Sequence, residues 1–208
     1  MEHGCVVLDN RVDQFTLLEH CAAPDALLDV TGLDLRRLPL EVKASLYSAA
    51  AVFRVPDLRA SADIDANKAV YFSAPGLRTA GNISATHAEL FEIPQLQIAG
   101  NIYATSAAEF VARELVTAGD IDAFAATNFE AQSLQTAGYI NAYFTKCFRA
   151  LQLRECRMLR VPRVNIFVAP QLCSASIIDA LSATWIIAPL LDPGLIFAPE
   201  AGYSLARS

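Results

Sequence analysis

Phenylalanine recurs every nineteen residues through the middle of the chain, at Phe53, Phe72, Phe91, Phe110, Phe129, Phe148 and Phe167, and Ile186 takes the next place in the series. A period this strict is the signature of a solenoid, in which no unit can bury its own apolar face and each stacks on its neighbours to do so. Counting the Phe as position 0, Leu follows at +5 (Leu58, Leu77 and onward to Leu191) and Ile or Leu at +11 (Ile64, Ile83, Ile102, Ile121, Ile140, Leu159, Ile178). The unit reads F-x-A-P-x-L-x-x-A-G-x-I-x-A-x-x-A-x-x.

Nineteen residues hold no stretch of 3.6-residue periodicity, so short strands are left. The +11 Ile and the +13 Ala alternate with polar residues, as do the Phe and the small apolar residue at +2, which is the period-2 pattern of a half-buried strand. Two strands per coil are expected, stacked at about 4.8 Å as in any parallel sheet. Gly81, Gly100, Gly119 and Gly138 at +9 are expected to make a corner through a backbone conformation that a Cβ opposes. Pro56, Pro75, Pro94, Pro170 and Pro189 at +3 make a second corner, where a fixed φ and a missing N–H suit a strand exit. The expected fold is mainly β: a right-handed β-solenoid of about eight coils spanning 51–191. Residues 1–50 form a partly helical N-terminal cap with Pro24 as a first-turn residue, and 192–208 a C-terminal cap and tail.

The core A-x-x-I-x-A-x-x-A-x-x-F-x-x-P-x-L resembles a shortened bacterial leucine-rich repeat from Phe53 to about Leu191. The corner Asn of that family is replaced by Ala69, Ala88, Ala107, Ala126, Thr145, Val164 and Ala183. Without an Asn ladder or a helical convex side, a straighter right-handed solenoid similar to receptor L-type domains is an equal reading. Both resemblances imply protein binding and neither implies a catalytic residue.

Composition narrows the function classes. The chain of 208 residues is 54% hydrophobic, which inward-facing ladders account for, and no apolar run is long enough to span a bilayer. The start lacks the basic and apolar segments of a signal peptide, so the chain reads as cytoplasmic, with no membrane association. A net charge of −6 argues against nucleic acid as a partner. Five cysteines without C-x-x-C spacing give neither a disulfide framework nor a zinc site. Cys156 sits at the small +8 position and reads as core, while Cys147 and Cys173 occupy variable positions.

Function must therefore lie on the outward positions. In the early coils these are small or polar (Asp63, Asp65, Asn67; Asn82, Ser84, Thr86), and then they turn aromatic: Tyr103 at +12, Phe124 at +14, Tyr139 at +10, Tyr143 at +14 and Phe144 beside it. Exposed contiguous aromatics mark interaction sites, although cross-strand stacking explains them equally well. The next coil carries Arg149, Arg154, Arg157, Arg160 and Arg163 against a single Glu155, with Arg157 in the place of the corner Gly and Leu151 in that of the corner Pro. Arg beside Tyr and Phe is the composition of interface hot spots. Solvated charge, with pairing to Glu130, is the alternative reading.

Apolar residues fill outward positions of the last coils (Val168, Ile177, Leu181, Ile187, Leu190). Cover by the tail is expected there, with self-association through these coils as the alternative. Catalysis has little support: His3, His20 and His87 are dispersed, and the carboxylate pairs Asp63/Asp65 and Asp120/Asp122 lie three coils apart. The chain reads as a non-enzymatic protein-binding module without a cofactor, in one version an immunity or inhibitor-type protein that masks a toxin or effector. The partner-binding residues are Tyr103, Phe124, Tyr139, Tyr143, Phe144, Arg160 and Arg163. A carbohydrate-binding module using the aromatics is the first alternative, and a β-solenoid enzyme the second.

Overall fold

The nineteen-residue step becomes the repeat of one turn. Phe53 pairs with Phe72, Phe72 with Phe91 and Phe91 with Phe110, in parallel and in register, and Ile64, Ile83, Ile102, Ile121 and Ile140 pair likewise. A computed structural model describes residues 5–190 together with Ile196 and Phe197. It is a mainly β solenoid whose walls are an eight-stranded sheet centred on the Phe positions and an eleven-stranded sheet centred on the Ile positions.

Between these two runs a third wall, which the expectation of two strands per coil leaves out. Glu41–Val42, Ala60–Ser61 and Thr79–Ala80 form a three-stranded sheet, and bridges at Ile98, Thr117 and Thr136 continue it. The small +8 residues made this wall hard to recognise, because they carry no apolar alternation of their own.

The interior is one continuous ladder. All seven Phe side chains are buried, with successive rings parallel and their centroids 4.7–5.5 Å apart. Offset stacking at this spacing adds to the area term of about 25 cal/mol per Å² of apolar surface removed from water.

Two of the three corners are β-turns. The +5 N–H donates to the +2 carbonyl (Leu96 to Ile93, 3.1 Å; Leu115 to Ala112, 3.2 Å), which puts the +3 Pro at the second place of the turn, where its fixed φ is favoured. The +16 N–H donates to the +13 carbonyl (Ala88 to Ala85, 3.0 Å; Thr145 to Ala142, 3.2 Å).

The third corner corrects the reading of its glycines. No described glycine has a positive φ. What a Cβ would meet instead is a side chain: Asp63 Oδ1 at Gly81, Asn82 Oδ1 at Gly100 (2.7 Å), Asn101 Oδ1 at Gly119 and Asp120 Oδ1 at Gly138. Each of those oxygens accepts the backbone N–H of the equivalent residue one coil on: Asp63 from Asn82 (2.6 Å), Asn82 from Asn101, Asn101 from Asp120 and Asp120 from Tyr139 (each 2.8 Å). The chain does carry an Asx ladder, at +10 and not at the +16 position where the leucine-rich-repeat pattern looked for it. Glycine is needed at +9 because the ladder occupies the space of its Cβ.

Both ends extend the stack. Val6–Asp9, Leu27–Gly32 and Ser45–Tyr47 add three strands to the Ile wall ahead of Ile64. The single α-helix among the described residues, Gln14–Ala22, starts where the Asp13 carboxylate accepts the Thr16 N–H (3.0 Å), and it buries Leu17 and Cys21. Pro24 does not open a helix: the helix ends at Ala22 with Ala23 as its cap, and Pro24 lies in the turn beyond, where its inability to continue a helix does no harm. No described helix is long and apolar enough to cross a membrane. The expected closing segment 192–208 lies outside the described residues except Ile196–Phe197, which pair with Ile178–Asp179 on the Ile wall.

Candidate functional site

The Asx ladder stops at Tyr139, whose side chain offers no amide or carboxyl oxygen for the next coil. From there the corner straightens: Thr136–Asn141, Glu155–Arg160 and Ser174–Asp179 are six-residue strands that run through it, paired on both sides of the +9 position. Loss of the Gly to Arg157 and Ser176 follows from this, because no ladder oxygen remains to be accommodated. The regular rod therefore gives way to a different surface at this point.

Tyr143 and Phe144 are the two central residues of the turn from Ala142 to Thr145, Phe124 holds the same place as Tyr143 one coil earlier, and Arg163 holds the place of Phe144 one coil later. Central turn residues point away from the core, so three successive tips lie side by side on one edge of the solenoid. Phe124 stacks on Tyr143 (5.2 Å, 24°), and Phe144 stands edge-on to both, 5.0 Å from each. The Arg163 guanidinium lies 4.7 Å from the centre of the Phe144 ring and 5.7 Å from that of Tyr143, and Arg160 lies 5.1 Å from Tyr143. Cation–π contacts of this kind contribute about 0.5–1 kcal/mol each when exposed. Phe144 keeps 38% of its surface in solvent.

Five of the seven candidate residues are thus brought together and two are not. Tyr103 lies on the flat Ile wall, paired through Asp122 and Asn141 to Arg160, and Tyr139 heads a separate row with Met158 and Ile177 at the straightened corner. The five arginines do not form one patch. Arg149 faces Glu130 (4.0 Å) from the Phe wall, Arg157 faces Asp120 (3.9 Å), and Arg160, beside the aromatics, faces Asp179 (3.7 Å). The side-chain oxygens Asn141 Oδ1 and Asp179 Oδ1, on either side of Arg160 in its row, are buried without a hydrogen-bond partner.

The carboxylate pairs have structural roles. Asp63 and Asp120 belong to the ladder, Asp65 accepts the Asn67 N–H (3.1 Å), and Asp122 accepts from Asn141 (3.0 Å) and Thr105 (3.2 Å). His87 is tied to the Asn67 carbonyl (2.6 Å). Cys156 is buried, and burial pushes its thiol up to about 11; Cys147 is half-buried and Cys173 exposed. Ile177, Leu181, Ile187 and Leu190 are exposed among the described residues, and Val168 is half-buried.

No protein-family model, curated protein or solved structure matches this chain. Sequence reasoning missed the Asx ladder, although the signal was present: Asp63 to Asp120 at +10 are answered one coil later by Gly81 to Gly138 at +9.

Proposed function

We propose that this chain is a non-enzymatic, cytoplasmic protein-interaction module that binds another protein through Phe124, Tyr143, Phe144, Arg160 and Arg163. The observation that carries this reading is the aromatic–Arg cluster itself. Aromatic and Arg side chains held rigid at a surface are the groups that carry most interface energy, and here each orders the others across three turn tips. In its most specific form the module is leucine-rich-repeat-like or receptor-L-domain-like, bacterial, and of the immunity or inhibitor type, covering a toxin or effector.

The same geometry weighs against a sugar platform. A pyranose stacks on an open ring face, and the Tyr143 ring is taken up by Phe124 and by two guanidinium groups. Affinity capture from the source cell decides the matter when wild-type protein is run beside a folded Tyr143→Ala/Arg163→Ala variant. A protein retained by the first and released by the second supports the proposal. Equal retention by both, or wild-type retention on immobilised oligosaccharide alone, overturns it.

A further inference from the structure

The Phe wall has an open edge at its N-terminal end. Its first strand is Val52–Arg54, and in the coil beneath, where a matching strand would run, the chain forms the 3-10 turn Leu35–Arg37. Tyr71 N–H donates to the Ala51 carbonyl (3.2 Å) and Val55 N–H to the Ser73 carbonyl (3.0 Å), so residues 51, 53 and 55 turn their backbone groups toward the next coil. By the alternation of a strand, the N–H and C=O of Val52 and Arg54 point the other way. Across that side, no hydrogen bond joins them to residues 30–36 among the described residues.

These groups face a groove of about 430 Å³. Its lining includes Val30, Leu33 and Ser48, all nearly inaccessible to solvent, so its floor is largely apolar, and Asp34 and Arg36 line it as well. Arg54 is exposed in the groove, and no carboxylate lies within salt-bridge distance of it among the described residues. Asp34, the acid in the groove's lining, is already held by Arg36 at 2.8 Å.

The chain supplies a template for what is missing. Five coils further along the same row, Arg149 is met from the preceding rung by Glu130, and the residue before Glu130 is Phe129, stacked under Phe148. We propose that the Val52–Arg54 edge captures an extended segment of a partner protein as one more parallel strand. The segment would have an apolar residue followed by an acidic one, the apolar side chain entering the groove against Val30 and Leu33 and the acid meeting Arg54. This is strand addition at a sheet edge, in which backbone hydrogen bonds give affinity and alternate side chains give specificity. The site is separate from the aromatic cluster and does not depend on it.

The probe is the labelled peptide Thr-Asn-Phe-Glu-Ala-Gln, the sequence of residues 127–132, added to the full chain. The expected result is saturable binding, with backbone amide shifts at Val52 and Arg54 in NMR spectra. Methylating the peptide's Phe nitrogen, which donates to the Val52 carbonyl in this register, should weaken binding at least tenfold. Arg54→Glu should do the same, and the Glu-to-Arg peptide should recover binding to that variant, which guards against a fold defect in Arg54→Glu. A folded Tyr143→Ala/Arg163→Ala variant should bind the peptide unchanged. Absence of saturable binding, indifference to methylation or to the charge swap, or shifts mapped elsewhere on the rod would each overturn the proposal. So would self-association of the chain abolished by Arg54→Glu, which would make a second copy the occupant.

Discussion

Gly119→Ala separates two reasons for a corner glycine. If the backbone needed a conformation reserved for glycine, alanine would cost about the same whatever its neighbours. The structure gives Gly119 no such conformation; its Cβ would meet the Asn101 side-chain oxygen that accepts the Asp120 N–H at 2.8 Å. Alanine must then displace that oxygen. One net hydrogen bond is lost and a half-buried N–H loses its partner, which together amount to about 2–3 kcal/mol. Asn101→Ala alone removes the same bond but opens room for water at the N–H, and should cost about 1–2 kcal/mol. In that background Gly119→Ala no longer displaces anything of the ladder. The Gly100 carbonyl, 3.3 Å from the new methyl, must shift slightly, while the unfolded chain loses freedom worth about 0.4–1 kcal/mol. The second substitution should therefore fall within about 1 kcal/mol of neutral, giving a coupling energy near 2 kcal/mol between residues one coil apart. Urea unfolding with unchanged m values measures all four proteins. A cost for Gly119→Ala of 2 kcal/mol or more, by the same scale, in both backgrounds would refute the steric argument and return the corner to backbone strain.

Phe110→Ala should cost about 3–5 kcal/mol through the cavity left between Phe91 and Phe129, whereas Tyr143→Ala, on a turn tip, should cost about 1 kcal/mol or less, both read by denaturant unfolding. A thiol reagent at pH 8 should modify Cys173 in the folded protein and leave Cys21 and Cys156 untouched, as mass spectrometry of the labelled protein would show, since burial raises the latter two thiols from 9.0 to about 11. These are acids whose neutral form is favoured by folding: their contribution is complete below pH 9 and is lost as pH rises from 9 toward 11, so the unfolding midpoint should fall across that window. Replacing Tyr143 and Phe144, or Arg160 and Arg163, by Ala should leave the midpoint nearly unchanged and weaken the partner complex by at least about 2 kcal/mol, measured by titration calorimetry.

The inward half of this molecule was legible because inward positions repeat. Phe, Leu and Ile at 0, +5 and +11 are all committed to one ladder, and the structure buries them as the spacing demands. The glycines were misread because freedom at φ and absence of a side chain leave the same letter in a sequence, and only the partner Asx residue one coil away distinguishes them. The outward half was legible as a list and not as a surface. Tyr103 and Tyr139 are as outward as Phe124 and Tyr143, yet the first two stand on a wall or at a straightened corner and the others on neighbouring turn tips, where rings meet edge and face. The arginines at three-residue steps, Arg154 to Arg163, looked contiguous, but three residues carry a chain this tightly coiled partway round its perimeter, and their partners Asp120 and Asp179 lie on different parts of it. The N-terminal groove had no sequence signal, since it depends on a 3-10 turn standing where a strand would have closed the wall.

Between Asp63 and Gly138 every coil presents the same oxygen to the next and the same vacancy to the last. Coils in this stretch are interchangeable at their seams, so one could be excised or duplicated without altering any junction, whereas the coils beyond Tyr139 could not. The groove at one end and the aromatic tips further along are thus held apart by a count of identical units. Their separation is a ruler graduated in steps of about 4.8 Å, and a bivalent partner would read length in whole coils.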